Sequence, residues 1–135
     1  MNIYRHIIAC VLLVFSGVNA QVRLLLSAAI TPAHFEFRKH QYLKAVALCA
    51  QHGYPSPYIV EALAKKGPTY LDNLSSHVHY SLANNPSFRN NGINEALTVL
   101  DATRHFKFYA SDMIIKMTGR YYLEQENFIK IVENN

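Results

Sequence analysis

Residues Val22 to Ile30 form an unbroken apolar run with a single charge, Arg23, and a strand of that kind has no face to offer water. It is satisfied only inside a sheet covered on both sides, as parallel sheets with helical crossovers are. The residues that follow supply the covering. Thr31 is a candidate N-cap with Pro32 at the first helical position, and Tyr42, Leu43, Val46, Ala47 and Ala50 recur at helical spacing until Gly53 stops the helix. After the turn Pro55-Ser56-Pro57, the segment Tyr58 to Leu63 is short, partly β-branched and closed by Lys65-Lys66-Gly67-Pro68, as a second strand is. Thr69 to Leu74 reads as a short helix, and His77 to Ser81 as a third strand with alternating polar and apolar positions.

Asn84 to Asn91 is a loop rich in Asn, Pro and Ser. Asn91 then caps a second long helix whose apolar face is Ile93, Ala96, Leu97, Leu100 and Thr103, and this leads into a fourth strand over Asp112 to Lys116. Strands alternating with helical segments predict an α/β fold, a mostly parallel sheet with helices on its faces. Half of the 135 residues are apolar, enough for one core and one domain.

The formal charge of +4 is spread along the chain, with only Arg38-Lys39 and Lys65-Lys66 adjacent. Nucleic-acid binding is not expected, because it needs a dense basic stripe with interleaved aromatics. Arg5 and His6 precede the uncharged run Ile7 to Val18, and Asn19-Ala20 precede Gln21. That is the layout of a secretory signal peptide over 1–20, too short to span a membrane; it predicts a single domain over 21–135 in a secreted, periplasmic or lumenal location. The other reading of the same run is a buried N-terminal strand or helix of a cytosolic protein. Cleavage after Ala20 would remove Cys10 and leave Cys49 as the one thiol. An internal disulfide is then excluded, and Cys49, in an apolar helical stretch, reads as a small buried thiol. Asn73-Leu74-Ser75 is a glycosylation sequon.

Ligands of open α/β sheets bind at the carboxyl ends of the strands. Glu61 falls at the end of the second strand, Asn84 and Asn85 follow the third, and Lys116, Thr118, Gly119 and Arg120 close the fourth, which Asp112 opens. Asn91-Gly92 starts a helix whose free N–H groups can hold a phosphate or carboxylate. A lysine ending an apolar strand must reach solvent along its stem or find an anion, either a ligand phosphate or an internal carboxylate, with Glu61, Glu95 and Asp112 as candidates for Lys116. Arg120 can grip a phosphate or carboxylate bidentately, or be an ordinary surface arginine. Glu95 suits the first turn of its helix whatever its role, and Gly119 most simply supplies a turn. Tyr121 and Tyr122 either pack in the core or flank a sugar or base. His77 and His79, two apart with no third ligand nearby, do not make a zinc site. No Gly-x-Ser-x-Gly elbow, P-loop or Gly-x-Gly-x-x-Gly occurs, so hydrolase, P-loop NTPase and dinucleotide-binding classes lose their usual support.

Three segments taken together, Tyr58-Ile59-Val60-Glu61, Asn90-Asn91-Gly92-Ile93-Asn94-Glu95-Ala96 and Ile114-Ile115-Lys116-Met117-Thr118-Gly119-Arg120-Tyr121, resemble a group of GT-A-like proteins related to nucleotide-sugar glycosyltransferases. In that group an Asn-x-Gly-x-Asn-Glu-Ala segment precedes a strand ending Lys-x-Thr-Gly-Arg-Tyr. The resemblance covers Val22 to Leu123 and implies a Rossmann-like, GT-A-like half-domain. It implies a nucleotide sugar, or another anionic small molecule, near Glu61, Asn91, Gly92, Glu95, Lys116 and Arg120. GT-A enzymes carry an Asp-x-Asp metal motif where this chain has Lys116-Met117-Thr118, so the two cations, not a divalent metal, are expected to neutralise a diphosphate. Acceptor site and catalytic base would lie beyond Leu123 in a full transferase, and the expectation is a partial or degenerate one. The competing expectation is a small exported α/β binding or interaction domain in which Lys116 and Arg120 pair with internal carboxylates.

Overall fold

The computed structural model describes residues 21–64 and 67–118. Strand β1 (Val22–Ala28) runs through a 3-10 turn, Pro32–His34, into helix α1 (Phe35–Gln51) and then β2 (Tyr58–Glu61). A second 3-10 turn, Tyr70–Asn73, precedes β3 (Val78–Tyr80), after which α2 (Asn91–His105) leads to β4 (Met113–Thr118). The strand order is β3-β2-β1-β4, with every neighbouring pair parallel. This is a Rossmann-like α/β fold. After β3 the chain crosses back to the other side of β1, so the order reverses between β1 and β4.

Alternation along the strands divides the core in two. Leu24, Leu26 and Ala28 join Ile59, Ile115 and Met117 against Tyr42, Ala45 and Cys49 of α1. Leu25 and Val60 pack with Ala102 on the opposite face, where Val99, Phe106 and Ile114 complete a smaller cluster under α2. The three consecutive leucines are all fully buried, each stabilising the fold by about 1.5–3 kcal/mol. An uninterrupted apolar run is thus the pattern of a strand covered on both faces.

Both helices sit rotated from the faces expected. On α1 the inward stripe is Tyr42, Ala45 and Cys49, while Leu43 is 41% exposed and Ala47 and Ala50 face outward. Tyr42 fixes this rotation: its hydroxyl accepts the Ala29 N–H at 2.8 Å, and small side chains beside it let the helix approach the sheet. On α2 the buried residues are Thr98 and Ala102, and Ile93, Ala96 and Leu100 are exposed. There the polar pairings of Glu95 and Asp101 with the sheet, described below, orient the helix.

Thr31 begins the 3-10 turn, not α1, and its side chain makes no capping bond. The N-cap of α2 is Asn90, whose Oδ1 accepts the Gly92 N–H at 2.8 Å; Asn91 is the first helical residue. Gly53, with φ of +69°, follows the end of α1, as a left-handed glycine stop does. The fourth strand continues two residues past Lys116, to Thr118. The proposed leader, Lys65-Lys66, Gly119, Arg120 and the tyrosines after them lie outside the described residues. No described helix is long and apolar enough to cross a membrane.

Candidate functional site

At the carboxyl ends of β1 and β4 lies an open cleft of about 540 Å³. Its floor is the end of β1, Ser27 to Ala29, with Thr118 of β4 beside it; Asn91, Asn94 and Glu95 of α2 form one wall. Arg38 and Tyr42 of α1 stand opposite, and the loop carrying Asn84, Pro86 and Phe88 closes over the side. Ligands of doubly wound sheets are expected at this kind of reversal of strand order.

The floor is held rigidly by α1. Arg38 donates from Nη1 to the Ala29 carbonyl at 2.7 Å, and the Tyr42 hydroxyl takes the N–H of the same residue. The loop is held by α2, because Asn94 accepts the Asn85 N–H at 2.9 Å through Oδ1 and donates from Nδ2 to the Phe88 carbonyl. The asparagines of the Asn90-to-Asn94 segment therefore have separate tasks. Asn90 caps the helix, Asn91 faces the cleft, and Asn94 ties down the loop.

Lys116 finds an internal partner. It projects on the α2 face of the sheet, and its Nζ lies 2.6 Å from Glu95 Oε1. The same oxygen accepts the Ser27 hydroxyl at 3.2 Å. Glu95 reaches the cleft with a side chain 41% exposed, whereas Lys116, 15% exposed, sits behind it. Of the carboxylates weighed as partners for Lys116, the structure selects Glu95.

Glu61 and Asp112 are committed elsewhere. Glu61 is fully buried and accepts backbone N–H groups from Ile30 at 2.6 Å, from Leu63 at 2.9 Å and from Ala64. Burial pushes its carboxyl above the usual glutamate range, against the pull of those N–H groups. It ties the loops after β1 and β2 together and does not line the cleft. Asp112 lies at the other end of the sheet, at the start of β4, where Oδ2 accepts Arg23 Nε at 3.2 Å and the Tyr109 N–H at 3.0 Å. The strand runs away from that end, so the ligand role expected of Asp112 gives way to a structural one.

Thr118 is in the cleft, as expected, and its Oγ1 is buried without a hydrogen-bond partner among the described residues. Thr31 lines the same cleft, and its Oγ1 is likewise buried without a partner among the described residues. Buried hydroxyls are normally paired. Gly92 sits in the first turn of α2, and Asn85 in the loop; neither faces the cleft. Ser27, Thr31, Arg38 and Asn94 were not signalled as site residues by the sequence. Asn94 nonetheless lies inside the Asn90-to-Ala96 segment singled out above.

Away from the cleft, Asp101 Oδ2 takes the Ser81 hydroxyl at 2.6 Å and lies 2.7 Å from His79 Nε2. These hydrogen bonds hold the Asp101 carboxyl below the usual range. Burial pushes the Cys49 thiol up to about 11, which leaves it an inert core residue. Among the described residues no group of three or more His, Cys, Asp or Glu side chains is placed to hold a metal.

Fold and cleft together define a Rossmann-like α/β domain with a ligand-sized opening at its strand-order reversal. Comparison with family models, with curated proteins and with solved structures finds no match to this chain.

Proposed function

We propose that the chain is a glycosyltransferase-related domain that binds a nucleotide sugar in the cleft between β1, β4 and the start of α2. The observation that carries this reading is the position of the cleft, at the point where the strand order reverses and the N-terminus of a 15-residue helix opens toward it. Its lining supports the reading as well. Amides, hydroxyls and Arg38 suit a polar ligand, while Phe88, 42% exposed at the rim, offers an apolar surface for a ring. The motif Asn90 to Ala96 contributes two of its residues to the lining walls besides Glu95.

The pairing of Lys116 with Glu95 favours a second reading, an exported α/β interaction domain without transferase activity, since that cation is already satisfied internally. A thermal-shift screen against uridine, guanosine and cytidine diphosphate sugars separates the two. A ligand at about 100 times its dissociation constant adds roughly 2.7 kcal/mol, a shift of several degrees for a domain this size. A shift with one nucleotide class supports the transferase-related reading; no shift with any donor supports the interaction domain.

A further inference from the structure

A carboxylate that neutralises a lysine commonly ends its role there, but Glu95 is only half used. Both of its described bonds, from Lys116 Nζ at 2.6 Å and from Ser27 Oγ at 3.2 Å, fall on Oε1. No hydrogen bond from a described residue reaches Oε2, and the side chain is open to the cleft. Thr31 and Thr118 line the same cleft, and their Oγ1 atoms are buried without a partner among the described residues. Ser27 and Thr118 are register partners on adjacent strands, so the Glu95 anchor and one of these hydroxyls share a strip of floor.

We infer that Glu95 is a specificity-determining residue that receives a vicinal diol of the bound ligand, with Lys116 and Ser27 acting as its positioning residues. The inference rests on the nucleotide-sugar reading and changes its chemistry at this point. Lys116 was expected to meet either a ligand phosphate or an internal carboxylate, and it meets Glu95. In the structure a phosphate would have to displace Glu95 and would face its negative charge, which costs affinity. A sugar hydroxyl suffers no such penalty, because it donates to the carboxylate. Hydrogen bonds to a charged acceptor are among the stronger ones, and a fixed carboxylate needs no reordering to make them. Lys116 and Ser27 supply that fixing by holding one oxygen and leaving the other. The anionic part of the ligand is then left to Arg38 or the helix start, which line the same cleft.

A vicinal diol can come from the ribose or from the transferred hexose, and the probes tell them apart. Titration calorimetry of the full chain with the nucleotide sugar that gives the largest thermal shift, its nucleoside diphosphate and the 2′,3′-dideoxy diphosphate identifies which diol is read. Glu95→Gln keeps the size of the side chain and one oxygen that can accept from Lys116 and Ser27, but removes the charge and turns the other oxygen into a donor. It is expected to weaken the diol-bearing ligand about tenfold or more, in line with the loss of a charged acceptor, and to leave the ligand lacking that diol unchanged. Lys116→Met is expected to show the same selective loss, and Lys116→Arg to restore affinity. Tighter binding by Glu95→Gln would show Glu95 to be a competitor for a phosphate on Lys116 and would overturn the inference. Unchanged binding of every ligand by Glu95→Gln would overturn it too, while sparing the nucleotide-sugar reading. If no nucleotide sugar binds the native chain, saturation-transfer NMR with methyl hexosides and methyl ribosides decides. Glycoside binding lost in Glu95→Gln upholds the diol site and removes only the nucleotide; no Glu95-dependent glycoside binding overturns both.

Discussion

The β1–β4 pair is clamped by an ion pair at each end, and the two clamps are built differently. At the amino end, Arg23 meets an Asp112 side chain that is 1% exposed. Asp112 spends both oxygens, Oδ2 on Arg23 and the Tyr109 N–H, Oδ1 on the Gln21 N–H at 3.4 Å. The Arg23 guanidinium also donates to the Tyr58 hydroxyl and lies over the Tyr58 and Phe108 rings. At the carboxyl end, Lys116 meets a Glu95 that remains 41% exposed and bonds through one oxygen. A carboxylate used completely closes a structure, and one used partly while facing a cleft is available to a ligand. Glu61, at the carboxyl end but fully buried and saturated with N–H groups, belongs with Asp112.

Removing each carboxylate measures the contrast. Glu61→Ala has the largest expected effect, about 4 kcal/mol, because three backbone N–H groups lose their acceptor in the interior. Asp112→Ala follows at about 3 kcal/mol, since it leaves the Arg23 charge without its counter-ion and two N–H groups without their acceptor. Glu95→Ala is expected to cost less, about 2 kcal/mol: the 41% exposed Glu95 is partly screened by water, but its loss leaves Lys116, 15% exposed, without a counter-ion. Chemical denaturation of the three variants checks the order. A Glu95→Ala loss equal to that of Asp112→Ala would erase the distinction between the two ends.

The smallest effect is a pH dependence away from both clamps. Burial and the adjacent His79, stacked on it at 3.9 Å between ring centroids, hold the His105 imidazole below its ordinary value of 6.5, against the pull of Asp101. Below 6.5 the unfolded chain therefore binds the extra proton first. Stability from His105 is complete above that value and is lost as the pH falls through the lower folded one. The depressed Asp101 carboxyl adds a later loss, in the acid range below its ordinary value of 3.8. His105→Asn should flatten the first of these slopes between pH 7 and 5 and leave most of the second, which rests chiefly on the Ser81 and His79 hydrogen bonds, as read by melting temperature against pH.

Much of the fold was legible in the sequence because β-strands buried on both faces leave no ambiguity. The leucines of β1, the breakers around β2 and the Gly53 stop all fell where expected, within a few residues. The helix faces were not legible from apolar spacing. On both helices the rotation is set by polar groups, Tyr42 on Ala29 and Glu95 on Lys116, which a hydrophobic pattern does not weigh. For the same reason Leu43, Ile93 and Leu100 were assigned inward and stand outward. The site was half visible. Glu95, Asn91 and Thr118 were identified, and they do meet at one cleft. Thr31 and Arg38 arrive there only because the chain leaves β1 through a 3-10 turn, a connection that Pro32 suggested without revealing its direction. Asp112 was rightly placed at the start of the fourth strand but counted among the ligand-binding residues, although that end of the sheet lies opposite the cleft.

The central claim, that the cleft at the strand-order reversal binds a nucleotide sugar, is tested most directly by amide chemical-shift mapping of the isotope-labelled chain during titration with the donor panel. The account predicts saturable shifts centred on Ser27, Thr31, Asn91, Glu95 and Thr118, with Arg23, Tyr109 and Asp112 at the far end of the sheet unmoved. Shifts centred on that far end, or none at all with any donor, would contradict it.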